Sequence, residues 1–332
     1  MNDKDLQIHR PTLKRFVSLD EKGHLAHAYL LAGPAQIGKS ETALGLAKFF
    51  NCEKKEKAGQ ELFCNACPGC LKINSGSHPD LHVLENDSAQ TMKIEQIREL
   101  LKEIGLRPFM AEKKIFILKN IENLTPEAGN AFLKTLEEPT PTSLLLLTTA
   151  NLKKVMGTIR SRCQIIHFYP ASKEKLVSQL VKNYTLEAAE ANFLAYFACG
   201  SWGKAKQLYE NRILDRKNEI IDRFIFSRTA DETYLKKVVA EKETAREFLD
   251  ILLTWIHDAL LIKTGVIEQS LCHTDRFHEL KEFQQQFTFK ELLGLNKEIV
   301  KTHQLLTENL NVKIPLLMII ELLSAKQQGK AP

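Results

Sequence analysis

No stretch of this 332-residue chain approaches the ~20 consecutive apolar residues that a bilayer-spanning helix needs. The opening segment, MNDKDLQIHRPTLKRF, lacks the apolar core of a secretory leader. A membrane-spanning or exported protein is therefore not expected, and the cytoplasm is the expected compartment. Excess charge is also lacking: the formal net charge is +5, and lysines are balanced by nearby Asp and Glu rather than gathered into one basic block. A solvated surface explains them better than a nucleic-acid footprint. Internal repeats and low-complexity tracts are absent, so a repeat array is excluded. Cysteine is sparse but not scattered. Four of the seven cysteines fall between Cys52 and Cys70, and in a reducing compartment such clustering points to metal rather than to disulfides. What remains is ordinary globular sequence, 44% hydrophobic, long enough for two or three domains at roughly 100–200 residues each.

The first half alternates strand-like and helix-like stretches. Strands are expected at His27–Ala32, Asp80–Leu84, Lys114–Leu118, Ser143–Thr148 and Gln164–Phe168. Several are apolar at consecutive positions, as strands buried on both faces are. Helices are expected over Lys39–Phe50, Ile94–Ile104 and Pro126–Glu137, the last ended by Glu138-Pro139. Strands separated by helices imply a mostly parallel sheet covered on both sides, an α/β domain. After Tyr169-Pro170 the pattern turns helical, with an interruption at Gly200-Ser201-Trp202-Gly203, and it stays helical to the end. Long helices are expected at Glu247–Thr264 and Phe289–Leu310, with Pro315 interrupting the last segment. The expected domains are 1–170, 171–209 and 210–332.

Gly33-Pro34-Ala35-Gln36-Ile37-Gly38-Lys39-Ser40 matches GxxxxGKS at every fixed position, directly after a strand and before a helix. In such a loop the backbone N–H groups face phosphate oxygens, the lysine reaches the β- and γ-phosphates, and the serine hydroxyl faces Mg²⁺. The following helix adds its positive end. A tight turn with a chance Lys-Ser is the plain alternative. A P-loop ATPase also needs a carboxylate at the tip of a neighbouring strand. Here the strand KIFIL is followed by Lys119 and Asn120, an ammonium and an amide where magnesium wants an acid. A site that binds nucleotide without turning it over is expected; Glu122, past the strand end, is the alternative acid.

Cys52, Cys64, Cys67 and Cys70 are spaced C-x11-C-x2-C-x2-C. Four thiolates complete a tetrahedral Zn²⁺ shell with no open position, so the expected role is structural. Pro68-Gly69 suits a tight loop that a metal could staple, and redox or inert thiols are the alternative. Cys199 and Cys272 read as lone structural cysteines. Thr158-Ile159-Arg160-Ser161-Arg162-Cys163 lies between two strand candidates. Arg162 there is either a surface cation or an arginine finger for a neighbouring subunit's γ-phosphate.

Taken together, HAYLLAGPAQIGKS, the four cysteines, HPDLHVLE with KIEQIRELLKEI, NIENLTPEAGNAFLKTLEEPTPTSLLLLTTAN and TIRSRCQIIHF resemble the bacterial clamp-loader subunits of delta-prime type, within the AAA+ family. The likeness covers about residues 24–170 closely; the second half resembles the family only through ENLNVKIPLLMIIELL. It implies a AAA+ α/β domain with an inserted zinc module (52–70), a small helical lid and an all-α collar. It implies partners too: delta and gamma/tau subunits, the sliding clamp, and primed DNA through the assembled complex. Within that complex Arg162 would enter the ATP site of a neighbour, and Thr149 would be the polar sensor at the end of its strand. Such members commonly have damaged ATPase machinery, which Lys119-Asn120 matches. The phosphate loop is intact, however, and Gly203 stands where competent relatives place an arginine, with Lys204 a poor substitute. ATP or ADP binding, with Mg²⁺ left open, is the expectation; a hydrolysis-competent gamma/tau-like ATPase is the runner-up. A P-loop kinase or DNA repair ATPase is disfavoured by LKTLEEP with SRC.

Overall fold

The computed structural model describes residues 9–54, 62–85, 91–226, 234, 238, 240–308 and 310–327. The chain divides into two compact units, residues 1–172 with 199–204, and residues 173–198 with 205–332.

The first unit is built on a five-stranded sheet of order β2-β3-β4-β1-β5, comprising β1 (Ala28–Ala32), β2 (Leu81–Leu84), β3 (Lys114–Leu118), β4 (Ser143–Thr149) and β5 (Gln164–His167). Every pairing is parallel. Parallel strands need crossovers, and the crossovers cover both faces. That explains why β1, β3 and β4 are buried at every position, and why their sequences carry no polar alternation. Side chains still alternate between faces. Tyr29, Leu31, Ile115, Ile117, Leu144 and Leu146 pack in one core with α1 (Arg10–Glu21) and α2 (Lys39–Asn51). Leu30, Phe116, Leu118, Leu145 and Leu147 pack in the other with α4 (Ile94–Ile104) and α5 (Pro126–Glu137).

Strand and helix bounds in this unit match the sequence expectation to within a residue or two. Three helices were not expected, one of them the single turn Gly157–Arg160. Helix α1 carries Pro11 in its first turn and buries Leu13 and Phe16. Helix α3 (Pro68–Asn74) replaces the loop expected at Pro68-Gly69. Proline at a first helical position loses no hydrogen bond and brings a helical φ, and Cys67 caps this helix by accepting the Cys70 N–H at 3.4 Å.

Every described secondary-structure element of the second unit is a helix. Its helix Lys242–Lys263 buries Phe248, Leu252, Trp255 and Ile256, and Phe289–Thr307 is closed at its start by a Thr288/Glu291 capping box. Buried Asp258 accepts the backbone N–H groups of Cys272 and His273 at 2.9 and 2.8 Å. Pro315 does not interrupt the last helix, Lys313–Gln327; it lies in its first turn, where a missing N–H costs nothing. Of the two cysteines read as structural, Cys272 is buried and Cys199 is exposed. No described helix is long and apolar enough to cross a membrane.

Candidate functional site

The phosphate loop joins β1 to α2 at the C-terminal edge of the sheet. The Gly33 N–H donates to the Thr149 carbonyl at 3.2 Å. A side chain at Gly33 would put its Cβ 2.4 Å from the Phe168 carbonyl oxygen, and Gly38 takes a left-handed φ of +100° beneath the His9 ring. Both positions therefore demand glycine, for close approach in one case and for backbone hand in the other. Pro34, Ala35 and Gln36 are exposed, while Ile37 and Lys39 are buried and Ser40 is half-buried. The Lys39 ammonium donates to the carbonyls of Gly33 and Pro34 at 2.7 and 2.5 Å. Burial lowers its pKa to about 8, partly opposed by the charges of Glu122 and Glu41. The arrangement is a polar cradle that could accept phosphate oxygens.

A second strand of chain holds this loop. The Ser201 hydroxyl and the Gly203 N–H both donate to the Gln36 carbonyl, at 2.6 and 3.0 Å. A Cβ at 203 would stand 2.6 Å from that oxygen. Gly203 is thus a close-approach glycine strapping the phosphate loop, and an arginine there would displace the strap. Nothing in the sequence pattern announces this contact.

The tip of β3 differs from the sequence expectation in one important respect. Lys119 does not occupy the cation position. Its ammonium bonds Glu85, beyond the end of β2, at 2.6 Å. Asn120 turns the chain with a left-handed φ of 55°, and its N–H donates to the Thr148 hydroxyl at 3.3 Å. The turn Ile121–Asn123 then brings Glu122 back. Its Oε1 accepts the Ala150 N–H at 2.8 Å, just past Thr149, and its charge reaches Lys39. Thr149 itself is fully buried, and its hydroxyl accepts the Asn151 N–H at 3.1 Å. Strand-end geometry alone would have put Glu122 out of reach; the left-handed Asn120 is what returns it.

The thiols of Cys52, Cys64, Cys67 and Cys70 converge so that their sulfurs all lie within 4.8 Å of one another. Residues 55–61 of this expected module lie outside the described residues. Cys52 follows the end of α2, and Cys52, Cys67, Cys70, Phe63 and Ile73 belong to the same core as Leu46 and Phe50. Burial raises the Cys52 and Cys70 thiols, whereas backbone N–H bonding, first from Ala66, lowers Cys64 to about 6.

Arg162 is placed elsewhere. It directly precedes β5, whose Gln164 pairs with Tyr29 near the start of β1. Because all strands run the same way, Arg162 lies at the N-terminal edge of the sheet, opposite the phosphate loop. The guanidinium cannot serve its own loop. Its Nε donates to Glu137 Oε1 at 2.9 Å and its Nη1 to the Thr158 carbonyl at 3.0 Å, and its side chain is 34% exposed. Glu137, the end of α5, is a partner that sequence reasoning did not single out, although it is the first acid of LEEP.

The family model for "DNA polymerase III, delta subunit" matches residues 8–172, and that for its C-terminal region matches residues 213–327. DNA polymerase III subunit delta' of Bacillus subtilis is 33% identical, over 88% of this chain and 89% of that protein. The chain belongs to the DNA polymerase III delta-prime family. The delta' subunit of Escherichia coli K12 is 25% identical over 76% of this chain and 75% of its own length. DNA polymerase III subunit tau of Bacillus subtilis is 28% identical over 84% of this chain but 54% of its own length, so the chain spans about half of that relative. Both matched regions agree with the family to which the phosphate loop, cysteine cluster, LEEP and SRC point.

Proposed function

We propose that this delta-prime chain is a cytoplasmic clamp-loader subunit of the replicative polymerase that binds nucleotide, hydrolyses it poorly, and lends Arg162 to a neighbouring ATPase subunit. Its partners are delta and gamma/tau subunits in one hetero-oligomer. Together they open the sliding clamp and set it on primed DNA. In this reading residues 171–209 act as a lid, residues 210–332 as an assembly collar, and the four cysteines hold one structural zinc. The observation that carries the reading is the separation of functions across the sheet. A phosphate cradle occupies one edge, and an exposed guanidinium that cannot reach it occupies the other. An arginine so placed is suited to a phosphate of another chain.

Turnover is expected to be slow because the β3 tip offers Asn120 where an attacking water would need a base. Two measurements test this. The purified chain should bind ATP or ADP, yet show far less steady-state hydrolysis than the other loader subunits; turnover equal to theirs would favour the gamma/tau-like alternative. Co-purification with those subunits, with ATPase assayed with and without this chain, should show activity rising when it joins. Failure to co-purify would reject the assembly role.

Affinity should also depend on pH. Burial pushes Lys39 down to about 8, and a phosphate favours its charged form. Binding therefore takes up a proton above that pH, and affinity should fall as pH rises through about 8. A flat profile between pH 7 and 9.5 would show that Lys39 does not meet phosphate.

A further inference from the structure

The sequence places no acid where a P-loop ATPase holds its magnesium, but the fold supplies one. The left-handed turn at Asn120 and the short helix Ile121–Asn123 set Glu122 against Ala150, next to Thr149, whose carbonyl accepts the Gly33 N–H of the phosphate loop. One oxygen, Oε1, is engaged by the Ala150 N–H at 2.8 Å. The other, Oε2, is buried and makes no hydrogen bond. A buried carboxylate oxygen without a donor is unfavourable. Its charge is felt by Lys39, but that ammonium donates instead to the Gly33 and Pro34 carbonyls. What would satisfy Oε2 is a cation that arrives with the phosphates. Magnesium has that preference: it is a hard ion, held by one or two carboxylates together with nucleotide phosphates and waters.

Building on the nucleotide-binding reading, we infer that Glu122 is the carboxylate that receives the divalent cation of a bound magnesium nucleotide. Ser40, at the start of α2, supplies the hydroxyl of the same site. Glu122 does not thereby become a general base. Its Oε1 is committed to Ala150, and Asn120, two residues earlier, contributes an amide that cannot take a proton from water. The site is therefore equipped to hold a magnesium nucleotide without activating an attacking water, which separates metal-dependent binding from hydrolysis.

The test is titration of the full-length chain with the fluorescent nucleotide MANT-ADP, in magnesium and in EDTA, for wild type and Glu122→Gln. Glutamine keeps an oxygen acceptor for Ala150 and the shape of the side chain, and a thermal melt confirms the fold. Wild type should bind about tenfold or more tightly in magnesium, the scale of one charge-assisted contact. Glu122→Gln should bind equally in both conditions. Glu122→Ala, which also removes the Ala150 acceptor, should lose the magnesium dependence as well. An undiminished magnesium effect in both variants would overturn the inference while leaving nucleotide binding intact. Absence of binding by wild type in either condition would overturn the nucleotide reading together with it.

Discussion

Replacing Arg162 with alanine is expected to leave the chain folded and to cripple one ATP site of the assembled complex. The two effects separate because Arg162 makes little of the fold. Its guanidinium is a third exposed and pairs with Glu137, itself half exposed, and pairs of that kind contribute about 0–1 kcal/mol. At a neighbour's γ-phosphate the same group would meet charge developing in a transition state, where arginine fingers are worth ~10³–10⁵ in rate. Only the site that receives Arg162 is affected, so steady-state ATPase of the whole complex should fall less steeply than single-site turnover. Arg162→Lys should not rescue it, because an ammonium lacks the planar fork that grips two phosphate oxygens. Glu137→Gln is the informative companion. It removes the charge that holds the guanidinium at rest while keeping the finger, so a strong loss would show that Glu137 aims the arginine rather than merely parking it. Clamp-dependent ATPase unchanged by Arg162→Ala, in a complex of normal composition, would reject the trans role.

The parts legible in the sequence were those where physics narrows the residue choice. A strand buried on both faces has to be apolar throughout, and KIFIL and SLLLLTT could be placed for that reason. Gly33 and Gly38 have to be glycine because a carbonyl and the His9 ring occupy the space of any side chain. Contacts that depend on backbone direction were hidden. Asn120 gives no sign that it turns left-handed, and so Glu122 read as beyond the strand when it returns to the site. Lys119 read as a cation in the metal's place, but β2 and β3 pair in parallel, which brings Glu85 alongside to take it. The strap from Ser201 and Gly203 to Gln36 spans most of two hundred residues of chain, and glycine there looked like a lost arginine. Helix α1 could have been found: Pro11 near a helix start, followed by Leu13 and Phe16 three apart, is a start signal with an apolar face. In the second unit, helical periodicity announces helices but says little of which faces meet, and the buried Asp258 that ties down Cys272 and His273 had no local signature.

Chelation of zinc from the cysteine cluster should destabilise the sheet domain and not merely loosen a loop. One zinc per chain is expected by elemental analysis of protein purified without chelator, and none would defeat the assignment. The sulfurs lie close enough for a four-thiolate shell, and bound structural zinc contributes about 10–16 kcal/mol in isolated finger peptides at neutral pH. Here part of that energy is transmitted, because Cys52 follows the last turn of α2, the helix that begins at Lys39. Cys67, Cys70 and Ile73 complete the core around Leu46 and Phe50. Cys70→Ser should therefore abolish zinc binding and lower the melting temperature of the sheet domain. Removing one ligand of a structural zinc shell forfeits the metal's contribution to the folded state, so the cost should be several kcal/mol, at the severe end of single substitutions. Acidity provides an independent check. Burial raises the Cys52 and Cys70 thiols, so both must release protons as zinc binds. Zinc affinity should then fall as pH falls, with protons liberated on binding in a calorimetric titration. A melting temperature indifferent to both chelator and Cys70→Ser would mean that the apolar core alone holds this region, and that the four converging thiols are not a metal site.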